Sequence, residues 1–356
     1  LALKRRASLF AVNRWCVPPV AGSTGHRVLV LCVVCALGFW PPTVAAARTL
    51  AVGADQQFKM PSEAAAIAEN GDTVEIESGT YFDCAVWRAG NLTIAGKGPN
   101  VVITDTTCNG KALFVILGDG TTIRNITFTR ARVPDENGAG IRAEGSNLTV
   151  EGSRFIDNEA GVLAGDLPTS VIRISDSDFS ANGKCRDHCA HSLAVGRVAL
   201  LDVRRSRFSA AKGGNGIVSA AQRTELTDDE IADGSNGASS YLVAAYGGGA
   251  LVMTGNRLEK GPKTGNRKAA VLVEAGLWAS AGGELRFTGN HFTNDSGGPT
   301  VFVLNWTDRT AVLDNNVMSG PATEISSKGK WKHRAYQALV QTRDMLRHMA
   351  GALLRW

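Results

Sequence analysis

A short pattern recurs at least seven times down the chain: apolar, any residue, apolar, two residues of any kind, Ser/Asn/Asp, any residue, large apolar. The clearest copies are Leu148-x-Val150-x-x-Ser153-x-Phe155, Ile172-x-Ile174-x-x-Ser177-x-Phe179 and Leu201-x-Val203-x-x-Ser206-x-Phe208. The polar column Ser153, Ser177, Ser206, Asp229, Asn256, Asn290, Asn316 advances in steps of 24, 29, 23, 27, 34 and 26 residues. A repeat of that length means stacked units, each too small to bury a core of its own. Apolar–polar alternation within each copy says strand. The gaps leave no room for the helix that a strand–helix solenoid needs. What remains is a coil of short strands and turns that stacks in parallel on its neighbours, so that inward residues such as Val150, Ile174 and Val203 meet their equivalents ~4.8 Å away. Phe128, Phe155, Phe179, Phe208 and Phe292 are expected to form an internal aromatic ladder. The Ser/Asn column is expected at a bend, satisfying turn backbone and carrying no chemistry.

These features resemble the right-handed parallel β-helix of the pectate-lyase-like superfamily, from near residue 49 to about 320. The segment Phe58 to Tyr81 is similar to that family's N-terminal cap: Pro61 opens a short helix and Gly71-Asp72-Thr73-Val74 turns into a strand. Within the superfamily, Cys189-Ala190-His191-Ser192-Leu193-Ala194-Val195-Gly196 resembles the His-Asn-aliphatic-Tyr-aliphatic-Gly signature of secreted bacterial β-helix proteins. Two further segments of that signature read roughly His-x-aliphatic-Lys-Ser-Arg-Ala and Ser-Tyr-x-aliphatic-Asp. The chain departs from all three. Ser192 and Ala194 replace Asn and Tyr, Asn215 stands for His, Val218-Ser219-Ala220 replaces Lys-Ser-Arg, and Ala244 replaces Asp, while His191 and Ser240-Tyr241 remain. Loss of several polar positions together argues against a shared catalytic mechanism.

Residues 1–47 carry five basic and no acidic residues, with an apolar run Val28 to Trp40 and then Ala45-Ala46-Ala47. That reads as a secretory leader cleaved after Ala47, and the location expected is secreted, periplasmic or extracellular. The remaining 309 residues balance 33 basic against 33 acidic side chains, which removes any basic-protein case for nucleic acid. Four cysteines come after the leader, Cys84, Cys108, Cys185 and Cys189. An even count in an exported chain suggests disulfides, and local pairing is preferred. Residues 48–325 are read as the solenoid and 326–356 as a basic amphipathic helix. That helix is either a cap on the last coil or a contact with an anionic membrane or polysaccharide surface.

The densest cluster of reactive side chains is Lys184-Cys185-Arg186-Asp187-His188-Cys189-Ala190-His191. One reading is an active-site edge with His191 as acid or base and Asp187 or His188 orienting it. Another is a disulfide-stapled loop, and a metal site is the weakest of the three. Chemistry on an acidic sugar needs a cation for the carboxylate, a base for the C5 proton and an acid at the glycosidic oxygen. Arg223, His191 and Tyr241 are the candidates for those roles. For both Arg223 and Tyr241 a structural reading stands ahead of the catalytic one, as an ordinary solvated charge and an aromatic surface cap. Asp228-Asp229-Glu230 makes a poor hydrolytic pair, because adjacent strand residues point to opposite faces. No cofactor is indicated, with calcium left open. Two functions remain in view: a lyase or C5-epimerase on an acidic polysaccharide, and a non-catalytic glycan-binding or surface structural relative.

Overall fold

The computed structural model describes residues 47–186, 188–274 and 283–329, together with Trp331 and Ala335. The expected leader, apart from Ala47, and nearly all of the basic C-terminal segment therefore lie outside the described residues, as does Asp187. Among the described residues the chain forms two parallel sheets, of 19 and 10 strands. Strands run from Thr49–Val52 to Ala322–Ser326, and almost every strand pairs with its equivalent one coil away. The exception is a small antiparallel pair, Lys184–Cys185 with Cys189–Ala190.

Each coil contributes one strand to the smaller sheet and, after a turn, two strands to the larger one, separated by a sharp bend. The bend shows why the repeat carries its polar residue. The residue before it takes a left-handed conformation, as at Asp176 (φ 52°), Asp228 (φ 56°) and Asn315 (φ 52°), which Asn, Asp and Gly tolerate best. The polar side chain that comes next then accepts the backbone N–H of its counterpart in the preceding coil. Ser153 N donates to Ser177 Oγ (3.2 Å), Ser177 N to Ser206 Oγ (3.2 Å) and Ser206 N to Asp229 Oδ1 (2.8 Å). Asp229 N, Asn256 N and Asn290 N continue onto Asn256, Asn290 and Asn316 at 2.9–3.1 Å. The ladder is unbroken, and it removes a buried backbone donor at every coil.

Inside, the aromatic ladder is shorter than expected. Phe128, Phe155, Phe179 and Phe208 stack at centroid spacings of 4.5–5.2 Å. Ile231 and Leu258 then occupy the same register, so Phe292 stands apart and stacks instead on Phe302 from the opposite sheet at 5.6 Å. Aliphatic side chains fill the column equally well, because the core requires apolar volume and not rings. The helix Pro61–Ile67 begins with Pro at its first turn, where a missing N–H costs nothing, and buries Pro61 and Ala64. Cys84–Cys108 and Cys185–Cys189 are both disulfides, as local pairing anticipated. Among the described residues no helix is long and apolar enough to cross a membrane.

Candidate functional site

The three signature segments fall on neighbouring strands of the smaller sheet: Leu193–Val195, Ile217–Ser219 and Val243–Ala245. Register places Leu193, Ile217 and Val243 side by side facing the core, and Ala194, Val218 and Ala244 side by side facing outward. Three of the substituted positions of the signature thus stack in one column. Leu163 precedes them, and Leu272 and Leu304 come after. This outward face is therefore a continuous apolar stripe.

His191, Asn215 and Tyr241 each stand two residues before their strand and form a second column at its edge. His191 Nδ1 accepts the N–H of Asn215 (3.0 Å), and Asn215 Oδ1 accepts the N–H of Tyr241 (2.8 Å). The imidazole thus does what the next coil's amide does, and its proton sits on Nε2. Burial lowers its pKa to about 4, so it is neutral at physiological pH. Gly214 permits the packing: its φ is +67°, and a Cβ there would come within 2.1 Å of the Ala190 carbonyl and 2.8 Å of His191 Nδ1. Burial likewise raises the pKa of the Tyr241 hydroxyl.

Arg223 is not brought to this column. It opens a strand of the larger sheet, Arg223–Thr227, and its guanidinium is held by Glu225 (2.6 Å) and Glu284 (3.6 Å). His188 is exposed on the disulfide loop and lines a different feature. That feature is a cleft of ≈ 690 Å³ on the outer side of the smaller sheet, lined by Pro134, Asp135, Glu136, Asn137, Leu163, Arg186, His188 and Cys189.

The walls of the cleft are two loops tied to each other. Glu136 pairs with Lys184 (3.1 Å) and Arg186 (3.2 Å), which hold its carboxyl below the usual range. Lys184 also reaches Glu159 (3.3 Å), which is 3% exposed. The other oxygen of Glu159 accepts the N–H groups of Val133 (3.0 Å) and Gly138 (2.9 Å), pinning both ends of the 133–138 loop. Sequence reasoning found Arg186 and His188 but missed this facing wall. Its signal was the turn-forming run Pro134-Asp135-Glu136-Asn137-Gly138 in a lengthened gap between strands. No group of three or more His, Cys, Asp or Glu side chains suited to a metal occurs among the described residues.

A family model described as "right handed beta helix region" matches residues 57–194. The described solenoid is a right-handed parallel β-helix, and the family model covers its first half. Among solved structures, this β-helix is similar to pectate lyase Pel9A, at 13% identity over 79% of each chain and a TM-score of 0.51. It is also similar to the Aspergillus niger pectin methylesterase (13% identity, 79% of this chain and 92% of that one, TM-score 0.43). A third is the A-module of the Azotobacter vinelandii mannuronan C-5 epimerase AlgE4 (13%, 75% and 92%, TM-score 0.41). No curated protein matches the sequence. At these identities the likeness is one of fold, and the β-helix's chemistry has to be read from its own residues.

Proposed function

We propose that this β-helix is an exported glycan-binding protein that does not cleave or epimerise its ligand. The observation that carries this reading is the apolar column Ala194, Val218, Ala244, in which no group can take or give a proton. The remaining groups agree with it. His191 has its Nδ1 committed to a backbone N–H and a depressed pKa, and Arg223 is neutralised on another sheet. Glycan as ligand rests on the fold shared with a pectate lyase and on the cleft, where Arg186, His188 and Asn137 offer donors and Asp135 and Glu136 offer acceptors. A sugar carboxylate would compete with Glu136 for Arg186, which makes acidic polysaccharides the favoured class. Two disulfides and the leader-like N-terminus support export.

The test is proton NMR of acidic and neutral oligosaccharides with the protein, with and without calcium. Expected is line broadening with no unsaturated ends and no inverted C5 signals, and affinity at least tenfold weaker after Arg186→Ala with His188→Ala. Appearance of either product, lost on His191→Asn, would restore the lyase or epimerase reading.

A further inference from the structure

The two disulfides sit in opposite surroundings. Cys185 and Cys189 stand across from each other in the short antiparallel pair Lys184–Cys185 with Cys189–Ala190, and both are exposed. Cys84–Cys108 joins residues 24 apart, and both of its cysteines are half-buried. Cys108 packs there against the cluster that holds Ala112, Val115 and Ala139. One chain thus carries an open bridge and a sheltered one.

The two sulfurs of the open bridge are not equivalent. Cys189 lines the ≈ 690 Å³ cleft. Cys185 lines a separate recess of ≈ 290 Å³ with Arg132, Lys184 and Lys212, and its Sγ accepts the N–H of Gly214 (2.9 Å). Gly213 allows backbone to come this near the sulfur: a Cβ there would stand 3.0 Å from Cys185 N and 3.3 Å from Cys185 Sγ. A donor on sulfur favours the thiolate over the thiol. In thiol–disulfide exchange the sulfur of lower pKa leaves faster, and the sulfur attacked has to be reachable. Both requirements give the same assignment, with Cys189 attacked and Cys185 leaving.

We infer that Cys189 is a modification site for low-molecular-weight thiols. An incoming thiolate attacks Cys189 Sγ from the cleft and forms a new S–S bond. The Cys185–Cys189 bond breaks, and its electron pair leaves on Cys185 Sγ beside the Gly214 N–H. The proton shed by the thiol ends on Cys185. The incoming sulfur is oxidised and Cys185 is reduced, so the exchange balances without a further oxidant. The fold survives the step, because a bridge between residues four apart restricts the unfolded chain far less than one between residues 24 apart. Cys185 stays close enough to expel the thiol again, so the adduct accumulates only in excess thiol or once Cys185 is blocked. None of this requires a glycan in the cleft.

The test is incubation of the full chain with excess reduced glutathione in mildly alkaline buffer, quenched at intervals with iodoacetamide and mapped by mass spectrometry. Expected in the earliest samples is glutathione on Cys189 with carbamidomethyl on Cys185, formed at least tenfold faster than any label on Cys84 or Cys108. Circular dichroism should show the β-helix retained. Cys185→Ser frees the Cys189 thiol, which should then take one glutathione from oxidised glutathione. An adduct chiefly on Cys185 would overturn the inference, as would equal exchange of the two bridges or none short of denaturation. So would a Cys185→Ser chain left unmodified by oxidised glutathione.

Discussion

Asp229 is where a residue identity departs from what its position asks. In the ladder, Asn256 uses both amide atoms: Oδ1 accepts the N–H of Asp229 and Nδ2 donates to the Leu226 carbonyl (2.9 Å). Asp229 has the acceptor but not the donor, so its Oδ2 is buried without a partner. Burial raises its pKa to about 7, with Asp228 and Asp202 adding to the effect. A carboxyl raised in the folded state is neutral in both states below about pH 4. It ionises first in the unfolded chain as pH rises and costs stability until about pH 7, by roughly 4 kcal/mol at most. Asp229→Asn is therefore expected to raise stability at pH 8 by about 2–4 kcal/mol, with no gain at pH 4. Chemical denaturation at both pH values checks it, and a variant less stable than the parent at pH 8 refutes it. His191 has the opposite sign. Its depressed pKa means that stability is lost as pH falls from about 6.5 toward 4, by up to ~3 kcal/mol. His191→Asn keeps an acceptor for Asn215 N–H and removes that acid loss, whereas His191→Ala orphans the donor at a cost of ~1–3 kcal/mol. If both variants denatured alike at pH 7, the imidazole would not be a ladder rung.

At the level of elements, the cleft depends on how the 133–138 loop is anchored. Glu159 gives it two backbone hydrogen bonds from a buried position, while Glu136 joins it to the disulfide loop across a partly exposed ion pair. Buried acceptors of backbone N–H groups outweigh screened surface pairs. Glu159→Ala should speed amide exchange in residues 132–138 at least tenfold and weaken glycan binding, while Glu136→Ala leaves that exchange near the parent rate. Hydrogen–deuterium exchange separates the two, and the reverse order would show that the ion pair holds the loop. This site was half legible in the sequence. The disulfide loop announced itself through Cys185, Arg186, His188 and Cys189 in a row. The facing wall did not, because Glu159 acts across a coil and nothing in its local sequence distinguishes it from a solvated charge. Arg223 shows the same limit from the other side. It lies close in sequence to the signature segments, yet a turn carries it onto another sheet.

At the scale of the molecule the spacing of the coils was legible, though not every residue lining them, because in a solenoid sequence spacing is spatial spacing. The steps of 24, 29, 23, 27, 34 and 26 residues read from the polar column are the separations across which the ladder hydrogen bonds form. That one-dimensional character has an energetic consequence, since each coil is held only by its two neighbours. Asn256 is fully buried and contributes to three ladder hydrogen bonds in the interior, whereas Asn316 stands on the last coil and is partly exposed. Asn256→Ala should cost about 3 kcal/mol and weaken one interior interface, so that coils on either side of it open as separate units. Asn316→Ala should cost about 1 kcal/mol and loosen only the strands Ala311–Asp314 and Val317–Ser319. Native-state hydrogen exchange reads both. If Asn316→Ala accelerated exchange throughout the solenoid, the coils would be globally cooperative and the nearest-neighbour description would fail.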